Sequence, residues 1–328
     1  MRKIGKKANA IIGFGGVALA TALAGYYFFQ KPEPSNVIPK TKEISSASVN
    51  NTQTLQERIT SNRNIANIVL DIEWENNLGV TNEDYQLLDK ILDTAKARIT
   101  VKDKYSRDDA HQILNSIADI IDEFGFEGVE NLDPLNYTLK TKKIDCLEYM
   151  LLYLAIAEHL GTPLKGVNLP DHVFVRFVLS DNDYLNWECP NREELSNEYY
   201  IKLLKIHPDS IKNGVALKTL DRQQIVALIL NENGLVKYEK DNLEGALEDY
   251  NTAIKLDPNY ANAYYNRGNA KSKKGDLEGA IADYNTAIKL KPNDADAYNN
   301  RGNAKSKKGD LEGAIADYNR YKILTKDK

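Results

Sequence analysis

The sequence predicts an α+β domain followed by an all-α repeat array. Three observations carry this. Stretches with apolar residues three and four apart come first, and short β-rich runs follow after Gly161. The last third of the chain then repeats itself every 34 residues. Ahead of both lies a run of 22 residues without a charge, Ala8 to Phe29.

The 328 residues suffice for two domains, and 42% hydrophobic with 27% charged residues describe a globular chain. A net charge of -4 leaves no electrostatic footprint for nucleic acid, so no such partner is expected. Two cysteines exclude a disulfide scaffold.

The basic tail MRKIGKK (1–7) precedes the apolar run 8–29, which is long enough to cross a bilayer core of ~30 Å at ~1.5 Å per residue. The positive charges on its N-terminal side predict a single-pass membrane protein with a cytoplasmic N-terminus and extracytoplasmic soluble domains. The rival reading is a signal peptide cut after Ala24, followed by secretion. The apolar run continues through Tyr26, Tyr27, Phe28 and Phe29, past such a cut, which favours an anchor. Residues 30–55, dominated by Pro, Ser, Thr and Asn, read as a flexible linker.

Helical periodicity starts near Leu55 and recurs in IANIVLDIEWENNL, EDYQLLDKILDTAKARI and SRDDAHQILNSIADIIDEFGF. In the last of these Ile113, Ile117, Ile120 and Ile121 line one face, Ser106 caps the start and Gly125 ends it. KIDCLEYMLLYLAIAEHLG, residues 143 to 161, opens a further apolar helix. TPLKGVNLP, HVFVRFVL and DYLNWECP then read as strands bounded by Pro, Asp and Asn. The domain is placed at 56–206, with a connecting segment at 207–226.

The repeats occupy 227–260, 261–294 and 295–328. Glycines 268 and 302, and alanines 280 and 314, lie 34 apart, and one step back gives Gly234, Ala246, Tyr250, Ala253 and Pro258. This pattern resembles the tetratricopeptide repeat (TPR): small residues where helices cross, an aromatic, and Pro at the turn. The third unit ends in NRYKILTKDK without the Pro, which reads as the polar terminal cap that stacked repeats need. The resemblance implies a concave face that takes a protein or peptide partner. Asn269 with Lys273, and Asn303 with Lys307, stand one turn apart and suit peptide backbone and carboxylates. The plain alternative for these four is a solvated face.

Cys146 raises the chemical question. Asp145 can cap its helix, and Glu148 stands at capping-box spacing. A first-turn cysteine meets unpaired N–H groups and the helix dipole, which favour the nucleophilic thiolate. The two carboxylates partly oppose this, and free cysteines are also common small core residues. Of four histidines, His111 falls in a helix, His159 near a helix end and His207 before a proline, each with a structural explanation. His172 opens the HVFVRF strand directly after LPD.

DCLEYMLLYLAIAEHLGTPLKGVNLPDHVFVRF resembles the transglutaminase-like superfamily of papain-type cysteine enzymes, in particular bacterial membrane-anchored proteins with C-terminal tetratricopeptide repeats. The match covers roughly 130–206. It implies Cys146 as nucleophile, His172 as base and Glu188, in YLNWECP, as the residue orienting the imidazole. By analogy the Cys146 backbone N–H is one oxyanion donor, with a second in the 131–142 loop. Asp145 departs from the Gly or Asn common before the cysteine.

Strand geometry constrains Glu188. Alternation puts His172, Phe174 and Arg176 on one face, with Tyr184, Asn186 and Glu188 beside them. A tight turn pairing Ser180 with Tyr184 sets Glu188 opposite Arg176, a cross-strand ion pair without a triad. A wider loop, 177–183, pairs His172 with Glu188. The catalytic reading therefore expects the wide loop, with Asn186 in reserve. Cys189 is expected to pack on the apolar face; a bridge to Cys146 is the alternative.

Two functions follow. The first is a cysteine-dependent hydrolase or acyl transferase acting on amide or ester bonds of a protein or peptide through Cys146, His172 and Glu188, without cofactor. The second is a catalytically inactive, membrane-tethered scaffold that binds partner peptides through its repeats. Two cysteines and His172 lack zinc-ligand spacing, so no metal is expected.

Overall fold

The computed structural model describes residues 53–76, 78–128, 135–169 and 172–326. The basic tail, the predicted anchor 8–29 and nearly all of the linker lie outside the described residues, as do 129–134. Among the described residues no helix is long and apolar enough to cross a membrane.

Helices α1 (Leu55–Thr60), α2 (Ile65–Glu75), α3 (Asn82–Arg98) and α4 (Arg107–Glu123) come first. The start of α4 is closed by a Ser106–Asp109 capping box. Strands β1 (Glu127–Gly128) and β2 (Lys143–Ile144) pair in parallel on either side of α5 (Leu135–Thr141) in sequence. Helix α6 (Cys146–Leu160) is capped by Asp145 and stopped by Gly161 at φ 75, a left-handed position that suits glycine. It is apolar all round because α2, α3 and the sheet surround it.

The strands are β3 (Leu164–Leu169), β4 (His172–Ser180), β5 (Asp183–Glu188) and β6 (Glu193–Glu194), followed by α7 (Asn197–Leu203), α8 (Pro208–Lys212) and β7 (Lys218–Thr219). They form an antiparallel sheet ordered β6-β5-β4-β3-β7. Alternation splits its side chains. Val173, Val175, Phe177, Leu185 and Trp187 join the main core with α6. Val167, Leu169 and Phe174 face Tyr200, Ile206 and Ala216 in a second, smaller core. The segment after the strands thus covers the other face of the sheet, and β7 adds its edge.

Six helices follow among the described residues: α9 (Arg222–Glu239), α10 (Leu243–Leu256), α11 (Ala261–Lys274), α12 (Leu277–Leu290), α13 (Ala295–Lys308) and α14 (Leu311–Thr325). They form three helical pairs at the expected period. The first helix begins at Arg222, ahead of the expected boundary at 227. Its early residues explain this: Ile225, Val226, Leu228 and Ile229 belong to the core of the preceding domain. Arg222 fastens the junction, donating to the carbonyls of Ile59 and Ser61 at 3.2 and 2.6 Å and to that of Arg63.

The repeat glycines have a steric cause. A Cβ at Gly234, Gly268 or Gly302 would stand 2.6, 2.7 or 2.8 Å from the ring of Tyr250, Tyr284 or Tyr318. Gly268→Ala is therefore expected to lower stability by about 1–3 kcal/mol through overpacking, read as a reduced urea midpoint; an unchanged midpoint would show that Tyr284 yields freely.

The polar cap does not materialise. On α14, Leu311 is 62% exposed, Ile315 58% and Ile323 60%. The duplication explains two of the three. Leu277 and Ile281, one repeat earlier, pack against the cluster that Ala280 and Tyr284 form with Ala304 of the following unit; among the described residues no further helix covers their copies on α14.

Candidate active site

The geometry around Cys146 is set by three elements. Helix α6 places the half-buried cysteine at its first position, and Asp145 Oδ1 accepts from the N–H groups of Leu147 and Glu148 at 2.8 and 3.4 Å. Strand β4 begins at His172, whose side chain is 24% exposed. Strand β5 ends at buried Glu188. His172 Nε2 and Glu188 Oε2 lie 2.8 Å apart. The same Glu188 oxygen accepts from the hydroxyl of Tyr200 at 2.8 Å.

The register that produces this contact differs from both expected ones. The turn is tight, with Ser180 paired to Asp183, so the wide 177–183 loop is absent. An irregularity between Val178 and Ser180 shifts the ladder, and Arg176 faces Asn186 instead of Glu188. Extended along the ladder, Phe174 stands opposite Glu188, which makes Glu188 the diagonal neighbour of His172. Long side chains bridge such diagonals. The expectation that a tight hairpin would separate the two residues was therefore wrong: it counted directly opposed pairs alone and omitted the bulge.

The alternatives for this face are otherwise occupied. Arg176 donates to Asn186 Oδ1 at 2.8 Å and its guanidinium lies 4.1 Å from the Tyr184 ring centroid. Asn186 in turn donates to Leu195 O and Asn197 Oδ1, away from His172. Both cysteines are free. Cys189 is buried in the main core, and burial pushes its thiol well up, which makes it unreactive.

Electrostatics bind the three residues together. Burial disfavours the imidazolium of His172, but a hydrogen bond with Cys146 and the hydrogen bond and charge of Glu188 outweigh it and push His172 up to about 10. With Nε2 engaged by Glu188, Nδ1 is the nitrogen left to serve the sulfur. Glu148 is buried and hydrogen-bonded to Asp145; burial and that contact push its carboxyl well above the ordinary range. That shift favours the neutral form of Glu148 and so weakens its opposition to a thiolate at Cys146.

Sequence reasoning missed two residues. Tyr200 lies on α7 and stacks on Phe174 with centroids 4.6 Å apart, which aims its hydroxyl at Glu188. Nothing in NEYYIKL signals that contact. Glu232 comes from α9, the first repeat helix, and lies within electrostatic reach of Asp145; burial first, with the charge of Asp145 adding to it, moves its carboxyl up to about 7. The remaining histidines have structural places. His111 stands T-shaped to Trp187, His159 is in the last turn of α6, and His207 caps α8. Among the described residues no cluster of His, Cys, Asp or Glu could hold a metal.

The four repeat residues are partly engaged within the array. Asn269 accepts from the Tyr284 hydroxyl and the Asn300 amide, and Asn303 accepts from the Tyr318 hydroxyl. Lys273 pairs with Asp241 at 2.7 Å, and Lys307 is exposed.

No curated protein sequence matches the chain. Among solved structures, the first TPR of Spaghetti (RPAP3) bound to HSP90 peptide SRMEEVD is 28% identical, covering 32% of this chain and 83% of its own, with a TM-score of 0.31. The Arabidopsis OM64 TPR domain is 24% identical, covering 32% and 88%, with a TM-score of 0.32. Residues 84–231 match the family model described as transglutaminase-like superfamily, and residues 234–275 and 268–309 match that of the TPR repeat; the stretch that holds Cys146, His172 and Glu188 is thus similar to the former, and the array behind it to the latter.

Proposed function

We propose that the protein is a cysteine-dependent hydrolase or acyl transferase acting on amide or ester bonds of a protein or peptide. The observation that carries this reading is the 2.8 Å between His172 Nε2 and Glu188 Oε2, with Cys146 near enough to raise the proton affinity of the same imidazole. A cationic imidazole beside the sulfur favours the thiolate. Cys146 Sγ attacks the carbonyl carbon, and the carbonyl electron pair moves onto oxygen. The backbone N–H of Cys146, at a helical position that lacks an intrahelical acceptor, is suited to meet that charge. As the tetrahedral intermediate collapses, His172 gives its proton to the leaving amine or alcohol and a thioester remains. Water or an amine then attacks the thioester, His172 takes the incoming proton, and the thiolate departs. Glu188, itself fixed by Tyr200, holds the imidazole in place throughout.

The TPR-like array supports a protein or peptide partner, and the apolar segment 8–29 is proposed as its membrane tether, with the catalytic domain outside the cytoplasm. The test uses the full chain with an activated peptide ester and mass spectrometry of the acylated protein. Acylation on Cys146, lost in Cys146→Ala, is expected. A protein that acquires no acyl group on that sulfur would leave the scaffold reading in its place.

Glu188→Gln keeps the side-chain shape and removes its charge. The acid limb of Cys146 alkylation is expected to move up by about one pH unit, the size of a lost charge-assisted hydrogen bond. A pH–rate profile checks this; an unmoved limb would remove Glu188 from the constellation.

A further inference from the structure

We propose that the chain forms a two-fold dimer through the outer face of its last helix, α14, with a second copy of the same helix running antiparallel to it. The argument is independent of the catalytic reading. Within the array, the outer face of each second helix is an interface. Leu277 and Ile281 pack toward Ala304 of the next unit, and Glu278 pairs with Lys308 at 2.8 Å. One unit earlier, Glu244 pairs with Lys274 at 2.5 Å. On α14 the same positions are Leu311, Ile315 and Glu312, and all three are exposed.

Duplication alone does not account for the whole face. Where the earlier units carry Lys255 and Lys289, the last carries Ile323, 60% exposed. A helix face left in water gains nothing from that exchange. Where the earlier units carry Ile254 and Ile288, the last carries an exposed Lys322. Leu311, Glu312, Ile315, Asn319, Lys322 and Ile323 fall within an arc of about 120° at about 100° per residue. The buried residues Ala314 and Asp317 lie on the opposite side.

This stripe is complementary to itself. An antiparallel pair centred at the level of Asp317 brings Leu311 of one copy level with Ile323 of the other, Glu312 level with Lys322 and Ile315 level with Asn319, twice over by symmetry. Such an isologous contact closes without leaving a free apolar end. A helix of 15 residues spans only about 22 Å, so the interface sits at the small end of specific ones and the dimer is weak, at the level of micromolar dissociation. No helix within the array is available as a rival occupant: the faces of α11 and α13 that such a groove would take, around Ala270 and Ala304, already pack against Tyr250 and Tyr284.

Sedimentation of the full chain, kept soluble by a non-ionic detergent, tests the proposal. A concentration-dependent dimer is expected at about 10–100 µM. Leu311→Glu and Ile323→Glu are each expected to leave a monomer with unchanged helicity. Glu312→Lys is expected to weaken the dimer about fivefold or more, and the double variant Glu312→Lys with Lys322→Glu to restore it. A wild-type chain that stays monomeric over that range, whatever other helix the face takes, would overturn the proposal. So would a dimer indifferent to Leu311→Glu and Ile323→Glu.

Discussion

His172→Ala is expected to slow alkylation of Cys146 by iodoacetamide about tenfold at pH 7. Pairing with an imidazolium favours the nucleophilic thiolate over the thiol, the form that dominates for an unassisted cysteine at that pH. Lower basicity makes each thiolate less nucleophilic and takes back part of that gain. The contrast widens to more than about a hundredfold at pH 5, where an unassisted thiol is almost wholly protonated. The fold is expected to survive, since His172 opens its strand and keeps part of its side chain in water. Cys189, buried in the core, contributes only a slow background. Equal rates in the two proteins would mean that the imidazole does not serve the sulfur.

The second large effect is on stability. Trp187 is 2% exposed, pairs with Val175 across the strands, donates from Nε1 to the Tyr153 hydroxyl at 3.3 Å and stands T-shaped to His111. Trp187→Ala is expected to cost about 3–5 kcal/mol, a large share of the about 5–15 kcal/mol that a domain holds in reserve. The change also loosens the strand end that carries Glu188. Circular dichroism during urea titration should show the lost stability, and Cys146 alkylation should slow along with it. A loss below about 1 kcal/mol would mean that the pocket collapses around the smaller side chain.

The helical array was legible because duplication writes its period directly into the sequence: Gly268 and Gly302 recur where Tyr284 and Tyr318 need room. The start of α6 was legible from Asp145, whose short carboxylate caps a helix whatever lies around it. The contact between His172 and Glu188 was legible by residue type and face but not by register. Face follows from alternation, whereas register depended on an irregularity at Val178 that no turn residue announces. Tyr200 and Glu232 were beyond reach because each arrives from a separate element, and only stacking on Phe174, or folding to within electrostatic reach of Asp145, brings them in. The α14 face was expected to be polar because Asn319, Arg320 and Lys322 stand out in the terminal stretch, while Leu311, Ile315 and Ile323 gather on one side.

The most direct test of the account is the titration of the His172 imidazole, followed by NMR in the wild type and in Cys146→Ala. The folded protein holds this proton more tightly than the unfolded chain, whose histidines titrate near 6.5. The associated stability is therefore complete below about pH 6.5 and is lost as pH rises towards about 10. The account predicts an imidazolium that persists through neutral pH, titrates near 10, and moves down when Cys146 is removed. A resonance that titrates near 6.5 and does not respond to Cys146→Ala would contradict it.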